Sequence, residues 1–121
     1  MAYLFLVFLT AISLFQISLI MGKPYGEYAW GGRHKVLPKN LRRGSLSSLF
    51  IYAFMALVTI EKSGIKDSFL SESFARSAMW FIFGYMVLGA LTNAASRSKK
   101  ERNVWTPILV VMSVITFLIA S

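Results

Sequence analysis

The sequence predicts an all-α polytopic membrane protein, a compact bundle of four transmembrane helices. Four apolar stretches divide the 121-residue chain, and a helix needs roughly 17–25 mostly apolar residues to cross the ~30 Å hydrocarbon layer. Hydrophobic residues make up 56% of the chain and charged residues only 15%, against about 25% charged in an ordinary soluble domain. A soluble fold of this size could not bury that much apolar surface. We therefore expect residues 1–121 to form a single transmembrane domain.

The first two helices are predicted at residues 2–21 and 45–61. The first stretch is long enough to span the bilayer. The second is short for a span, but Gly44-Ser45 and Glu61 at its ends give it some slack. A thin or untilted helix is tolerated in a bilayer, so we expect it to cross.

The third and fourth helices are predicted at residues 74–95 and 104–120. The fourth carries Pro107, which the predicted boundary places in the first turn. A proline there costs little, because the backbone N–H it lacks would have no partner within the helix. We expect Pro107 to start this helix rather than break it.

Basic residues are concentrated in the connections after the first and third spans, and this asymmetry predicts the orientation. Short cytoplasmic loops carry an excess of Lys and Arg. We therefore expect an inner or plasma membrane protein with loops 22–44 and 96–103 in the cytoplasm and both termini outside. The basic residues concerned are Lys23, Arg33, Lys35, Lys39, Arg42 and Arg43 in the first loop and Arg97, Lys99, Lys100 and Arg102 in the second.

Composition excludes several kinds of site and partner. The chain has no cysteine and one histidine, so we expect no disulfide scaffold, no metal site and no cofactor. The net charge is +8, but the basic residues flank apolar spans instead of covering a folded polar face. We therefore expect no nucleic acid partner, and anionic membrane lipid becomes the expected partner of these charges.

Polar residues inside the spans are few. Thr10, Ser13 and Gln16 recur at spacings of three, which we interpret as one side of the first helix. This side is either a set of interhelical hydrogen bonds or the lining of a polar path for a solute. No ionisable residue lies near the middle of a span, which argues against a proton-coupled pump.

The first cytoplasmic loop mixes glycine and proline with aromatic residues, so we expect it to be folded at headgroup depth. Gly22 fits the left-handed position that ends a helix, with Pro24 just beyond it. Gly31-Gly32 after Trp30 predicts a tight turn. The residues expected to shape this loop are Gly22, Pro24, Gly26, Trp30, Gly31, Gly32 and Pro38.

Two stretches resemble a group of small bacterial four-helix membrane proteins with no established function. The first stretch consists of Gly22, Pro24, Gly26, Trp30, Gly31, Gly32, Leu37, Pro38 and Arg42. The second consists of Asn93, Ser96, Ser98, Glu101, Arg102, Trp105 and Pro107. The resemblance implies a bacterial origin and a compact four-helix fold, and it implies no activity.

Both stretches fall on the predicted cytoplasmic side, so we expect them to meet. Asn93, Glu101 and Arg102 would then form a polar clamp that ties the two loops together, with Glu101 paired to Arg42, Arg33 or Arg102. The alternative is a site for an anion or a lipid headgroup, because guanidinium groups and loop amides suit phosphate. That site would contain Arg33, His34, Lys35 and Arg42.

Three classes of function remain open, and the sequence assigns no catalytic residue. The first is a lipid-interacting or assembly protein, either a homo-oligomer or a subunit with a membrane partner. The second is a binding or transport protein for a small solute, lined by Thr10, Ser13 and Gln16. The third, which we rank last, is a membrane enzyme that modifies lipid, for which Glu27 and His34 are the plausible pair.

The charge asymmetry predicts the result of reporter fusions. A reporter fused after Ser121 should be active outside the cytoplasm, and one inserted at Lys99 should be active inside, because the basic connections stay in the cytoplasm. Alkaline phosphatase and green fluorescent protein fusions measure the two sides. The opposite pattern of activities would overturn the orientation.

Overall fold

The computed structural model describes residues 2–29, 34–63, 71–96 and 98–121. Within these ranges 85% of the residues are helical and none lies in a strand. The four long helices are α1 (Ala2–Ile20), α2 (Lys39–Ser63), α3 (Glu72–Ala94) and α4 (Lys99–Ala120), and a short 3-10 helix, Gly26–Tyr28, follows α1. The prediction of an all-α chain with four long helices is confirmed.

Each of the four helices is long and apolar enough to cross a membrane. Their most apolar windows have a mean hydropathy between 1.4 and 2.2. Only 22–33% of the residues in these windows are buried inside the protein, and large apolar side chains such as Phe81 and Phe50 are 80% and 71% exposed. Lipid tails would cover such surfaces at no cost. These features indicate a multi-pass membrane protein.

The core is built from one stripe of each long helix. α3 and α4 make the most extensive contact, followed by α1 with α2. Helices in lipid associate largely by van der Waals packing, and methionine fills irregular gaps between them well. The core includes Phe5 and Leu9 of α1, Met55 and Val58 of α2, Met79 and Met86 of α3, and Met112 and Ile115 of α4.

The predicted start of α2 at residue 45 is wrong. The helix begins at Lys39, directly after Pro38, and runs for 25 residues, or about 37 Å at 1.5 Å per residue. The basic segment from Lys39 to Arg43 is therefore helical. Hydropathy shows where the apolar stretch ends, whereas a helix continues until its backbone is capped or broken. The second helix is therefore longer than its apolar stretch.

The predicted start of α4 at residue 104 is also wrong. Ser98 is the N-cap, and its side-chain oxygen accepts a hydrogen bond from the backbone N–H of Glu101 at 3.2 Å. Glu101 also places a negative charge in the first turn, where the helix dipole favours it. Pro107 consequently lies inside the helix rather than in its first turn, and the carbonyl of Asn103 has no N–H from residue 107 to accept.

The remaining boundaries differ from the predicted ones by two residues at most. α3 begins at Glu72 instead of residue 74, and Ser71 caps it by accepting from the N–H of Phe74 at 3.2 Å. α2 ends at Ser63 instead of residue 61.

Removing the cap of α4 should destabilise the protein. Ser98→Ala leaves the first N–H groups of the helix without this acceptor, which costs about 1 kcal/mol. Thermal unfolding in detergent, followed by circular dichroism, should show a lower midpoint. Ser47→Ala is the matched control, because Ser47 is exposed within α2 and donates only to its own helix. Equal midpoints for the two variants would contradict the assigned cap.

Candidate binding cavity at the basic end

One end of the bundle collects most of the described positive charge, and we call it the basic end. It consists of the end of α1, the start of α2, the end of α3, the start of α4 and the described parts of the two connections between them. Eight of the ten described Lys and Arg residues lie there, and the other two, Lys62 and Arg76, lie at the opposite end. The eight are Lys23, Lys35, Lys39, Arg42, Arg43, Lys99, Lys100 and Arg102.

Gly22 reverses the chain at the end of α1. Its φ is +83°, a conformation that suits glycine. The N–H of Gly22 donates to the Leu19 carbonyl at 3.1 Å and that of Lys23 to the Ser18 carbonyl at 3.0 Å. This pair of bonds is a Schellman motif, which satisfies carbonyls at the end of the helix.

Arg42 packs against this turn and joins the end of α1 to the start of α2. A Cβ atom on Gly22 would lie 3.2 Å from Nη2 of Arg42, so the guanidinium covers the glycine. Nε of Arg42 donates to the Leu37 carbonyl at 2.7 Å. The contacts of Arg42 therefore hold the segment between α1 and α2, which we call the first connection (residues 21–38), to the bundle.

The first connection also closes on itself. The N–H of Gly26 donates to the Lys35 carbonyl at 2.8 Å. A Cβ atom on Gly26 would overlap the carbonyl oxygen of His34 and lie 2.8 Å from that of Lys35. Because backbone atoms cannot yield as a flexible side chain does, this close approach requires glycine.

Trp105 of α4 fixes this connection to the helices. Its Nε1 donates to the Tyr28 carbonyl at 2.7 Å, and its ring lies 4.8 Å from that of Phe15, centre to centre. The Lys100 ammonium lies 5.8 Å above the Tyr28 ring, within reach of a cation–π interaction. Trp105 thus holds the first connection by a specific hydrogen bond as well as by ring packing.

Beneath this connection lies a partly open cavity of about 160 Å³. Four aromatic residues form much of its wall: Phe15, Tyr28, Tyr52 and Trp105. Three polar residues, Gln16, Asn93 and Glu101, also line it. They come from α1, α3 and α4. Residues near the middle of helices also line the cavity, namely Ile12, Tyr52 and Leu109, so it extends from the basic end into the bundle.

The polar groups of the cavity differ in how they are satisfied. Nδ2 of Asn93 donates to the Gly89 carbonyl at 2.7 Å. Glu101 is 8% exposed. The Gln16 side chain lies close to that of Tyr52, but its Oε1 is buried and has no hydrogen-bond partner among the described residues.

Of the three residues of the predicted polar path, Gln16 lines the cavity and the other two do not, and the path stays a prediction. Thr10 is exposed and its hydroxyl donates to the Leu6 carbonyl of its own helix at 2.8 Å. Ser13 is half-buried and does not line the cavity, whereas Gln16 does. The reason is geometric: each step of three residues turns by about 60° around a helix of 3.6 residues per turn, so Thr10 and Gln16 point about 120° apart.

The predicted anion site is only partly described. Arg33 lies outside the described residues, as do Trp30, Gly31 and Gly32. His34 and Lys35 are exposed, and Arg42 is half-buried against Gly22. The headgroup site therefore stays a prediction.

Two of the predicted clamp residues line one cavity, and the pairing expected for Glu101 stays a prediction. Asn93 and Glu101 line the same cavity, while Nη1 of Arg102 donates to the Ser96 carbonyl at 3.2 Å. One ion pair within 4 Å is found among the described residues. It joins Arg76 to Glu72 at 3.4 Å and lies at the opposite end of the bundle. In the described part of the chain, Trp105 and Arg42 make the contacts that tie the connections down.

Sequence reasoning missed Phe15, Tyr28 and Tyr52 as walls of a cavity. They lie on different segments, and no local spacing relates them. A signal for the start of α4 was present, however: Ser98 followed three residues later by Glu101 fits the capping-box pattern. It would have placed Glu101 in the first turn of a helix.

Comparison of this chain with known protein families, with curated proteins and with solved structures finds no match. The resemblance noted in the sequence therefore stays a prediction. In the described ranges no cluster of three His, Asp or Glu residues could hold a metal ion.

Loss of the Trp105 hydrogen bond should release the first connection. Trp105→Phe keeps a ring against Phe15 but leaves the Tyr28 carbonyl without this donor, at a cost of about 1–3 kcal/mol. Limited trypsin digestion in detergent should then cut faster at Lys23 and Lys35. Trp80→Phe is the matched control, because Trp80 is 39% exposed and packs against the rings of Phe83 and Phe117. Unchanged cleavage in Trp105→Phe would show that Trp105 does not hold the connection.

Proposed function

We propose that this chain is a non-enzymatic membrane protein that interacts with anionic lipid or assembles with a partner, with its basic end in the cytoplasm. The observation that carries the proposal is the collection of eight described Lys and Arg residues at one end of the bundle. Such an asymmetry is typical of the cytoplasmic side of inner and plasma membrane proteins.

The exposure of these side chains supports a role at the lipid surface. Six of the eight are exposed, and Arg42 and Arg102 are half-buried with bonds to backbone carbonyls. The exposed group contains Lys23, Lys35, Lys39, Arg43, Lys99 and Lys100. A basic residue near an anionic leaflet contributes about 1 kcal/mol to association, so six of them support a strong preference for anionic lipid.

The lipid-facing surface supports assembly as part of the same proposal. Phe81 is 80% exposed on α3 and Gly84, one turn further, has open space around it. A second copy of the chain or a membrane partner subunit could pack there. A lipid-modifying enzyme remains a weaker proposal, because His34 is exposed in the connection and an acid–base pair must be held at hydrogen-bond distance.

Removing charges from the basic end should weaken retention of anionic lipid. In Lys35→Gln/Lys39→Gln each lost charge should reduce it about fivefold, the equivalent of ~1 kcal/mol. Native mass spectrometry after exchange with phosphatidylglycerol or phosphatidylcholine measures the number of lipids retained. The zwitterionic lipid should respond little.

Lys62→Gln is the control for this experiment, since it removes one charge from the opposite end of α2. It should leave the retention of phosphatidylglycerol unchanged. Equal retention in the double variant and in Lys62→Gln would refute a lipid role for the basic end.

A further inference from the structure

The carboxamide of Gln16 is an exception among the polar side chains of the spans. Three buried hydroxyls are satisfied within their own helices: Thr59 donates to the Met55 carbonyl at 2.7 Å, Ser113 to Leu109 at 2.7 Å and Thr116 to Met112 at 2.9 Å. Two buried side-chain oxygens in the described structure have no partner, Oε1 of Gln16 and Oγ1 of Thr106. Of the two residues, Gln16 lines the cavity. A buried acceptor without a partner lowers the stability of the folded state.

The cavity is large enough for an organic molecule. Its volume is about 160 Å³, close to that of a ~150 Å³ engineered cavity that takes up benzene. The Phe15 and Trp105 rings meet in its wall with their centres 4.8 Å apart and an angle of 56° between their planes. Rings arranged in this way offer both a face and an edge to a flat guest.

Two donors in the cavity wall already have partners, whereas one buried acceptor has none among the described residues. Trp105 already donates to Tyr28, and Nδ2 of Asn93 already donates to Gly89. Oε1 of Gln16 is that acceptor. A guest that carries an O–H or N–H donor would satisfy it.

We infer that this cavity binds a small, ring-sized organic molecule that carries an O–H or N–H donor. The donor bonds to Oε1 of Gln16, and the ring packs against Phe15 and Trp105. This ligand site is separate from the lipid association proposed for the basic end, because it depends on buried acceptors and rings instead of exposed cations. Either can fail without the other.

Phenol and toluene test the inference as probes of nearly equal size, of which only phenol carries a donor. The chain has three tryptophans, so replacing Trp30 and Trp80 with phenylalanine leaves Trp105 as a fluorescent reporter in the cavity wall. Titration of this protein in lipid nanodiscs, with excitation at the red edge of indole absorption, gives the affinity of each probe. Phenol should shift the emission saturably and bind about five- to tenfold more tightly than toluene, as expected for one hydrogen bond to a buried group.

Three further variants locate the site. Gln16→Leu should remove the advantage of phenol over toluene. Ala29→Leu should abolish saturable binding of both probes, because Ala29 lines the cavity and a larger side chain would fill it. Thr10→Val, an exposed change on the same helix, should leave both affinities unchanged.

Several results would overturn the inference. The first is the absence of saturable binding, which would mean that the cavity holds only water. The second is equal affinity of the reporter protein for phenol and toluene. The third is tighter binding of phenol than of toluene that persists in Gln16→Leu. Circular dichroism of each variant distinguishes loss of the site from loss of the fold.

Discussion

The rest of the structure depends on one constraint, the need to pair every backbone N–H and C=O group that lies in hydrocarbon. Helices meet it internally, but each leaves about four N–H groups at its start and four carbonyls at its end. At the basic end two helices finish and two begin. The turn at Gly22 and the cap at Ser98 supply partners for these groups. The connections there must therefore hold defined positions close to the helices.

The cavity follows from how the first connection is held. Gly26 pairs with Lys35 across it, and Trp105 bonds to Tyr28 from α4. The connection therefore lies over the helix ends, and the space beneath it is lined by residues of these ends and of the helix segments below them, such as Ile12 and Tyr52. Helix ends are where polar side chains such as Gln16 and Asn93 reach the interface and where aromatic residues prefer to lie. A small cavity with polar groups and aromatic walls is the physical result.

Hydropathy predicted the four spans because apolar length is a property of each segment alone. It misplaced the starts of α2 and α4, which are set by Pro38 and Ser98 outside the apolar layer. A spacing of three turns Thr10 and Gln16 about 120° apart on a helix of 3.6 residues per turn, so spacing alone could not show that Gln16 lines the cavity and Thr10 does not. Tyr52 and Phe15 could not be predicted as neighbours in one wall, since their contact with the cavity depends on how whole helices pack.

The central claim is that the binding chemistry of this protein lies in the cavity beneath the first connection and not in the middle of the bilayer. An experimental structure from native membranes, at a resolution that separates ordered water from organic density, tests it most directly. We expect density for a compact non-protein molecule within hydrogen-bond distance of Oε1 of Gln16 and in contact with the Trp105 ring. A cavity filled by water alone or by a side chain of residues 30–33, with bound density instead near the bilayer centre, would contradict it.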